Sequence, residues 1–140
     1  MQISAKTEYA CIAVLELAMS YDRGEPLQVR KIAAAHDIPS GFLVQILLQL
    51  KSAGLVTSTR GAAGGYRLAR PPEAISVWDV MCVVEGEPRG TSGTSRSSAA
   101  AVLSAIWERA AESSRQVLES TTFAELTERT AGAAHGMYFI

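Results

Sequence analysis

The chain has 140 residues, 48% of them apolar and 19% charged, with a formal net charge of −1. That length and balance allow one folded domain plus an appendage, and exclude a disordered chain or two independent cores. The near-neutral total hides a division: residues 1–70 carry eight Lys/Arg against five Asp/Glu, and residues 71–140 carry five against nine. Within residues 28–70 six basic residues face one acid, Asp37, which is the pattern of a polyanion-binding segment.

No apolar run approaches the ~18 residues of a membrane span, so no membrane partner is expected. Lys6, Glu8 and Glu16 interrupt the first apolar pattern, as a secretory signal would not allow. Cys11 and Cys82 both fall inside apolar helical patterns. They are expected to be reduced core thiols of a cytoplasmic protein.

Taken in order, residues 4–21 place Ala10, Ala13, Val14, Leu17, Ala18 and Tyr21 on one stripe of a helix. Gly24 and Pro26 break it. Leu27 to His36 reads as a short helix with Val29, Ile32 and Ala33 inward and Arg30 and Lys31 outward. Asp37-Ile38-Pro39 is a turn, because proline pushes the residue before it out of helical geometry. A second helix follows with Leu43, Ile46, Leu47 and Leu50 on its inner face, stopped by Gly54. Two short helices about a tight turn make a helix-turn-helix. Leu55 to Thr59 is a β-branched strand, Gly61 to Gly65 a turn, and Tyr66 to Ala69 the returning strand. Helix-turn-helix followed by hairpin predicts a winged helix-turn-helix.

Pro71-Pro72 ends the hairpin. Ser76 with Asp79 three residues later resembles a capping box opening a helix whose face is Val77, Val80, Met81 and Val84, closed by Gly86. Glu87 to Ser98 is a polar loop. Ala99 to Glu119 returns to helix, about 30 Å long, with Leu103, Ile106, Trp107, Ala110, Ser114, Val117 and Leu118 along one side. A stripe of that length needs a partner, and the same helix of a second subunit is the simplest one. Thr122 and Glu125 suggest a second capping box before a last short helix; the tail from Ala133 has no assigned place. The expected architecture is mostly α with a small β-hairpin wing. Its parts are a DNA-binding domain over residues 1–86, a flexible loop over 87–98, and a dimerisation helix with C-terminal tail over 99–140.

In this architecture the second helix of the motif enters the major groove. Its candidate contacts are Ser40, Gly41, Phe42, Val44, Gln45 and Gln49: the amides suit adenine N6/N7, and Val44 suits a thymine methyl. Burial against the wing or the first helix is the alternative for Phe42, Val44 and Leu48, an equally good one for Phe42 and Leu48, and simple solvation is the alternative for Gln45. The wing offers Arg60, Gly61, Gly64, Gly65, Tyr66 and Arg67, since an arginine gains from a narrow minor groove. A nucleotide phosphate loop is excluded, because no Gly-Lys-Ser/Thr follows and the next element is a strand.

The string RGAAGGYRL at Arg60 to Leu68, after LKSAGLVTST at Leu50 to Thr59, resembles the Rrf2 family of bacterial transcription regulators, which includes IscR, NsrR and CymR. ISAKTEYACIAVLELA (Ile3 to Ala18) is similar to the family's first helix and ISVWDVMCVVEG (Ile75 to Gly86) to its post-wing helix. The resemblance covers about residues 1–120. It implies a homodimer on a palindromic double-stranded DNA operator; with the basic segment, the wing and the long apolar helix, a repressor is expected. The base-reading segment then falls on Ser40 to Gln45, the minor-groove arginine on Arg60, and the dimer seam on Leu103, Ile106, Trp107, Ala110, Val117 and Leu118. Many members hold an iron–sulfur cluster on three cysteines before the dimerisation helix, but Glu87 to Ala101 holds no cysteine or histidine. Glu8 and Cys11 alone are too few for a cluster, and Cys11, Cys82, His36 and His135 lack zinc spacing. A member without cofactor is expected, regulated by a small-molecule or protein effector.

Two other classes stay in view. One is a winged-helix module that binds protein; the other is a redox or cluster sensor using Cys11 or Cys82. No Ser/His/Asp or paired-carboxylate arrangement suggests an enzyme.

Overall fold

In the computed structural model the described residues are 2–86 and 97–137, with the main chain alone for 134–137. The loop expected over 87–98 falls outside them apart from Ser97 and Ser98, as do the last three residues of the tail. The order is α1 (Ala5–Met19), a 3₁₀ turn at Tyr21–Arg23, α2 (Val29–His36), α3 (Ser40–Ser52), β1 (Val56–Thr59), β2 (Gly65–Leu68), a 3₁₀ turn at Pro72–Ala74, α4 (Val77–Glu85), α5 (Ser98–Ser120) and α6 (Phe123–Met137). The two strands form one antiparallel hairpin, with Val56 opposite Leu68 and Thr59 opposite Gly65. It is a mostly helical winged helix-turn-helix.

Ser4 caps α1 by accepting the Thr7 amide, and the helix buries Ala10, Ala13, Val14, Leu17 and Ala18. These meet Ile32 and Ala33 of α2, the Leu43, Ile46, Leu47 and Leu50 face of α3, Leu55, Val56 and Leu68 of the hairpin, and Val80 and Val84 of α4. Asp37 closes α2 in the left-handed conformation (φ 54°), the conformation that turns the chain sharply between the two motif helices. Helix α3 stops at a Schellman motif: Gly54 (φ 79°) donates to the Lys51 carbonyl and Leu55 to the Leu50 carbonyl, both at 3.0 Å. The capping box at Ser76 and Asp79 is complete.

Strand and helix ends shift by a residue in several places, β1 starting at Val56, β2 at Gly65 and α5 at Ser98, and other differences bear on packing. Helix α2 begins at Val29, because Leu27 is used elsewhere: it pairs with Tyr66 as an isolated antiparallel bridge beside the wing. The last helix is 15 residues long and packs back onto α1 and the Pro72–Ala74 turn. Its first residue, Phe123, is fully buried in the main core, and its amide donates to the Ile75 carbonyl at 3.0 Å. Lastly, α1 ends at Met19, with the 3₁₀ turn following.

Candidate nucleic-acid interface

Helix α3 buries one face and presents the other. Ser40, Gly41, Val44, Gln45 and Leu48 are exposed, and Gly41, Val44, Gln45 and Leu48 follow one another at the spacing of a single helix stripe. Nothing lies within 4 Å of a Cβ placed on Gly41, so the start of this stripe is open to a close approach. Phe42 is 39% exposed but leans on Tyr9 of α1 in an edge-to-face contact with centroids 5.8 Å apart. Gln49 is half-buried, and its Oε1 is enclosed with no hydrogen-bond partner among the described residues, beside Val83 of α4. Of the two glutamines, Gln45 is therefore the one on the open stripe.

The wing is shaped by two glycines for which no other residue would fit. A Cβ on Gly64 would lie 2.1 Å from the Thr59 carbonyl oxygen, and one on Gly65 would lie 2.3 Å from that of Leu27. Gly61 has φ 103°, a region open to glycine. The Gly64 amide donates to the Gly61 carbonyl at 3.0 Å and the Tyr66 amide to the Leu27 carbonyl at 2.8 Å. Those two donors hold the turn together and are not turned toward a phosphate. Arg60, at the end of β1, is exposed. Arg67, also exposed, donates from Nη1 to the Gly24 carbonyl at 2.8 Å, anchoring β2 to the segment after α1.

Gln28 is the residue that sequence reasoning passed over. Its Nε2 donates to the Ala62 carbonyl at 3.0 Å, and its Oε1 accepts from Arg30 Nη2 at 3.3 Å. It thus links the wing tip to the exposed basic pair Arg30 and Lys31 at the start of α2. No local pattern signals this, because Gln28 and Ala62 are 34 residues apart. Lys51, at the far end of α3, donates to Ser58 Oγ at 2.6 Å and ties the helix to β1. The result is a helix and a wing tied to their neighbours by direct bonds, with Arg30, Lys31 and Arg60 exposed.

Away from this face, α5 is nearly uncovered. None of its 23 residues is buried; Leu103, Ile106, Trp107 and Val117 are each at least half exposed. Arg115 lies 5.2 Å from the centre of the Trp78 ring and holds α5 against α4. Among the described residues no helix is long and apolar enough to cross a membrane. A recess of about 470 Å³, lined by Glu8, Cys11, Met81, Leu118, Phe123 and Leu126 among others, opens between α1, α4, α5 and α6.

The Rrf2 family profile, described as an iron-dependent transcriptional regulator, matches residues 3–129. The chain belongs to the Rrf2 family. It is 33% identical over 139 residues to the HTH-type transcriptional regulator CymR of Bacillus subtilis, covering 99% of each. The solved structure of CymR, the global cysteine regulator of B. subtilis, matches at TM-score 0.83 and 32% identity, over 92% of this chain and 98% of that one. IscR of T. potens matches at TM-score 0.80 and 32% identity, over 95% and 90%. As a member of the Rrf2 family the chain is a DNA-binding transcription regulator with a helix-turn-helix, which agrees with the resemblance read from the wing string.

The family description names iron, and the donor set of this chain does not fit an iron–sulfur cluster. Such clusters are held by thiolates, commonly four. Here there are two cysteines in all. Burial, together with the neighbouring Glu8 carboxylate, pushes the Cys11 thiol up to about 11, so that it is protonated at neutral pH. Among the described residues no three His, Cys, Asp or Glu side chains gather as a metal group.

Proposed function

We propose that this Rrf2-family chain is a cytoplasmic repressor that binds a palindromic operator as a homodimer and works without an iron–sulfur cluster. In this reading residues 1–86 read DNA and residues 99–140 hold the dimer. The observation that carries it is the combination of an exposed α3 stripe with an α5 whose apolar side is left uncovered. Ile106 is 51% exposed and Trp107 53%, a cost that a second copy of the same helix removes. Two recognition helices related by a two-fold axis would lie about 34–36 Å apart, one turn of DNA, which makes the target a palindrome.

Base reading is assigned to Ser40, Gly41, Val44 and Gln45, and minor-groove contact to Arg60. Phosphate contacts go to Arg30 and Lys31. A small-molecule or protein effector supplies the signal, and a small molecule in the recess beside Glu8 and Cys11 would touch both the DNA-binding helices and α5. The high pKa of Cys11 speaks against that thiol as a peroxide sensor.

Selection from random duplex DNA followed by transcription in vitro tests the reading. The expected result is an enriched inverted repeat whose half-sites are one helical turn apart, with transcription lowered when the protein is bound. Enrichment of no sequence, with no salt-dependent retention on duplex DNA, would favour a protein-binding module instead.

A further inference from the structure

The outward stripe of α3 carries no charge. From Ser40 to Ser52 the one ionisable side chain is Lys51, and its ammonium is bound to Ser58 rather than directed along the stripe. This limits what the helix can read. Guanine is commonly read by an arginine or lysine on O6 and N7, and cytosine N4 by a carboxylate. The Gly41, Val44, Gln45 and Leu48 stripe has neither. It has one amide and two branched aliphatic side chains, Val44 at 37% and Leu48 at 45% exposure, one helical turn apart.

An exposed apolar stripe could suit a protein surface as well, but its surroundings do not. Arg30, Lys31 and Arg60 are all exposed, and the segment from 28 to 70 has a single acid. An uncharged apolar strip within a segment whose charged side chains are basic but for Asp37 suits a major groove, where phosphates lie at both edges and methyl groups on the floor.

We propose that α3 reads A·T pairs by methyl and amide contact, with Val44 and Leu48 packed on the C5-methyl groups of thymines next to an adenine held by Gln45. The inference rests on the reading of the chain as an operator binder and names the chemistry that its half-site must present. Phe42 takes no part, because its ring is engaged with Tyr9. Gln49 takes none either, its carbonyl being enclosed beside α4.

The test uses the full chain and an operator selected from random duplexes, remade with deoxyuridine in place of each thymine in turn. Uracil keeps the pairing edge and removes only the methyl. Each methyl in contact should be worth about fourfold in affinity, the value of one buried CH₂. Loss of that size at one or two positions per half-site supports the proposal. Val44→Ala and Leu48→Ala should each bind the thymine operator more weakly and lose the thymine–uracil difference at one position. Their unchanged thermal unfolding would separate this from a folding defect, both side chains being exposed. Equal affinity for thymine and uracil at every position overturns the proposal, as does a selected half-site whose core is G·C. A selection that enriches nothing overturns the operator reading itself, and is distinguishable because no operator then exists to remake.

Discussion

Leu27 and Tyr66 exchange both main-chain hydrogen bonds, each at 2.8 Å, across 39 residues of sequence. This bridge sets the root of the wing against the start of α2, and Gln28, the next residue, carries the tie on to the wing turn at Ala62. These bonds tie the helix-turn-helix to the wing. The bridge depends on the absence of a side chain at Gly65.

Gly65→Ala places a methyl 2.3 Å from the Leu27 carbonyl oxygen at a φ of 150°. It should destabilise the protein by about 1–3 kcal/mol, measured by urea unfolding, and lower specific DNA affinity as the wing shifts. Gly41→Ala is the opposite case. Its Cβ meets nothing and the residue is helical, so stability should rise by about 0.5–1 kcal/mol. Operator affinity should fall, because the added methyl occupies the open start of the stripe.

Among the polar candidates Arg60 and Gln45 are exposed, and Arg67 is bonded back to the main chain. Arg60→Ala and Gln45→Ala should each weaken specific binding by roughly 1–3 kcal/mol at fixed salt, measured by fluorescence anisotropy. Arg67→Ala should act mainly on stability, by at most about 1 kcal/mol, since its guanidinium is bonded to the Gly24 carbonyl. Unchanged operator affinity in both Arg60→Ala and Gln45→Ala would remove these residues from the interface.

If the proposed homodimer forms through α5, charge on the uncovered side of that helix should split it without unfolding the subunit. Ile106→Glu and Trp107→Glu alter side chains that are more than half exposed within one subunit. Light scattering should show a shift from dimer to monomer, while circular dichroism remains helical. Operator binding should weaken sharply, because one subunit then contacts one half-site.

The Glu85 carboxyl is held below its ordinary value of 4.5, first by the Ser4 hydroxyl, then by the Thr7 hydroxyl at 2.6 Å, with a smaller contribution from Lys6. A carboxylate whose folded pKa is depressed binds its proton less readily in the folded than in the unfolded chain. Its contribution is present above about pH 4.5 and is lost as pH falls through the folded value. Urea midpoints of Glu85→Gln and the natural chain should therefore differ at pH 7 and converge as the solution is acidified below 4.5. A constant gap across that range would assign the effect to packing.

Phe123→Ala should cost about 3–5 kcal/mol, a full core deletion, although the residue begins the last helix. Chemical unfolding would measure it. A cost near zero would mean that α6 is dispensable to the core.

The helix faces, the Gly54 stop, the capping box at Ser76 and the glycine turn of the wing all follow from residues within four or five positions of one another. Such features are legible in sequence because the helical repeat and the turn chemistry are themselves local. The tertiary structure decided what local rules cannot reach. It drew Leu27 out of a helix to pair with Tyr66, used Arg67 as an anchor, enclosed the Gln49 amide and sent Phe123 into the core. It also left Val44 and Leu48 exposed, where apolar pattern alone suits burial too. In each case the deciding partner, or its absence, lies tens of residues away, and only the folded path of the chain brings it near.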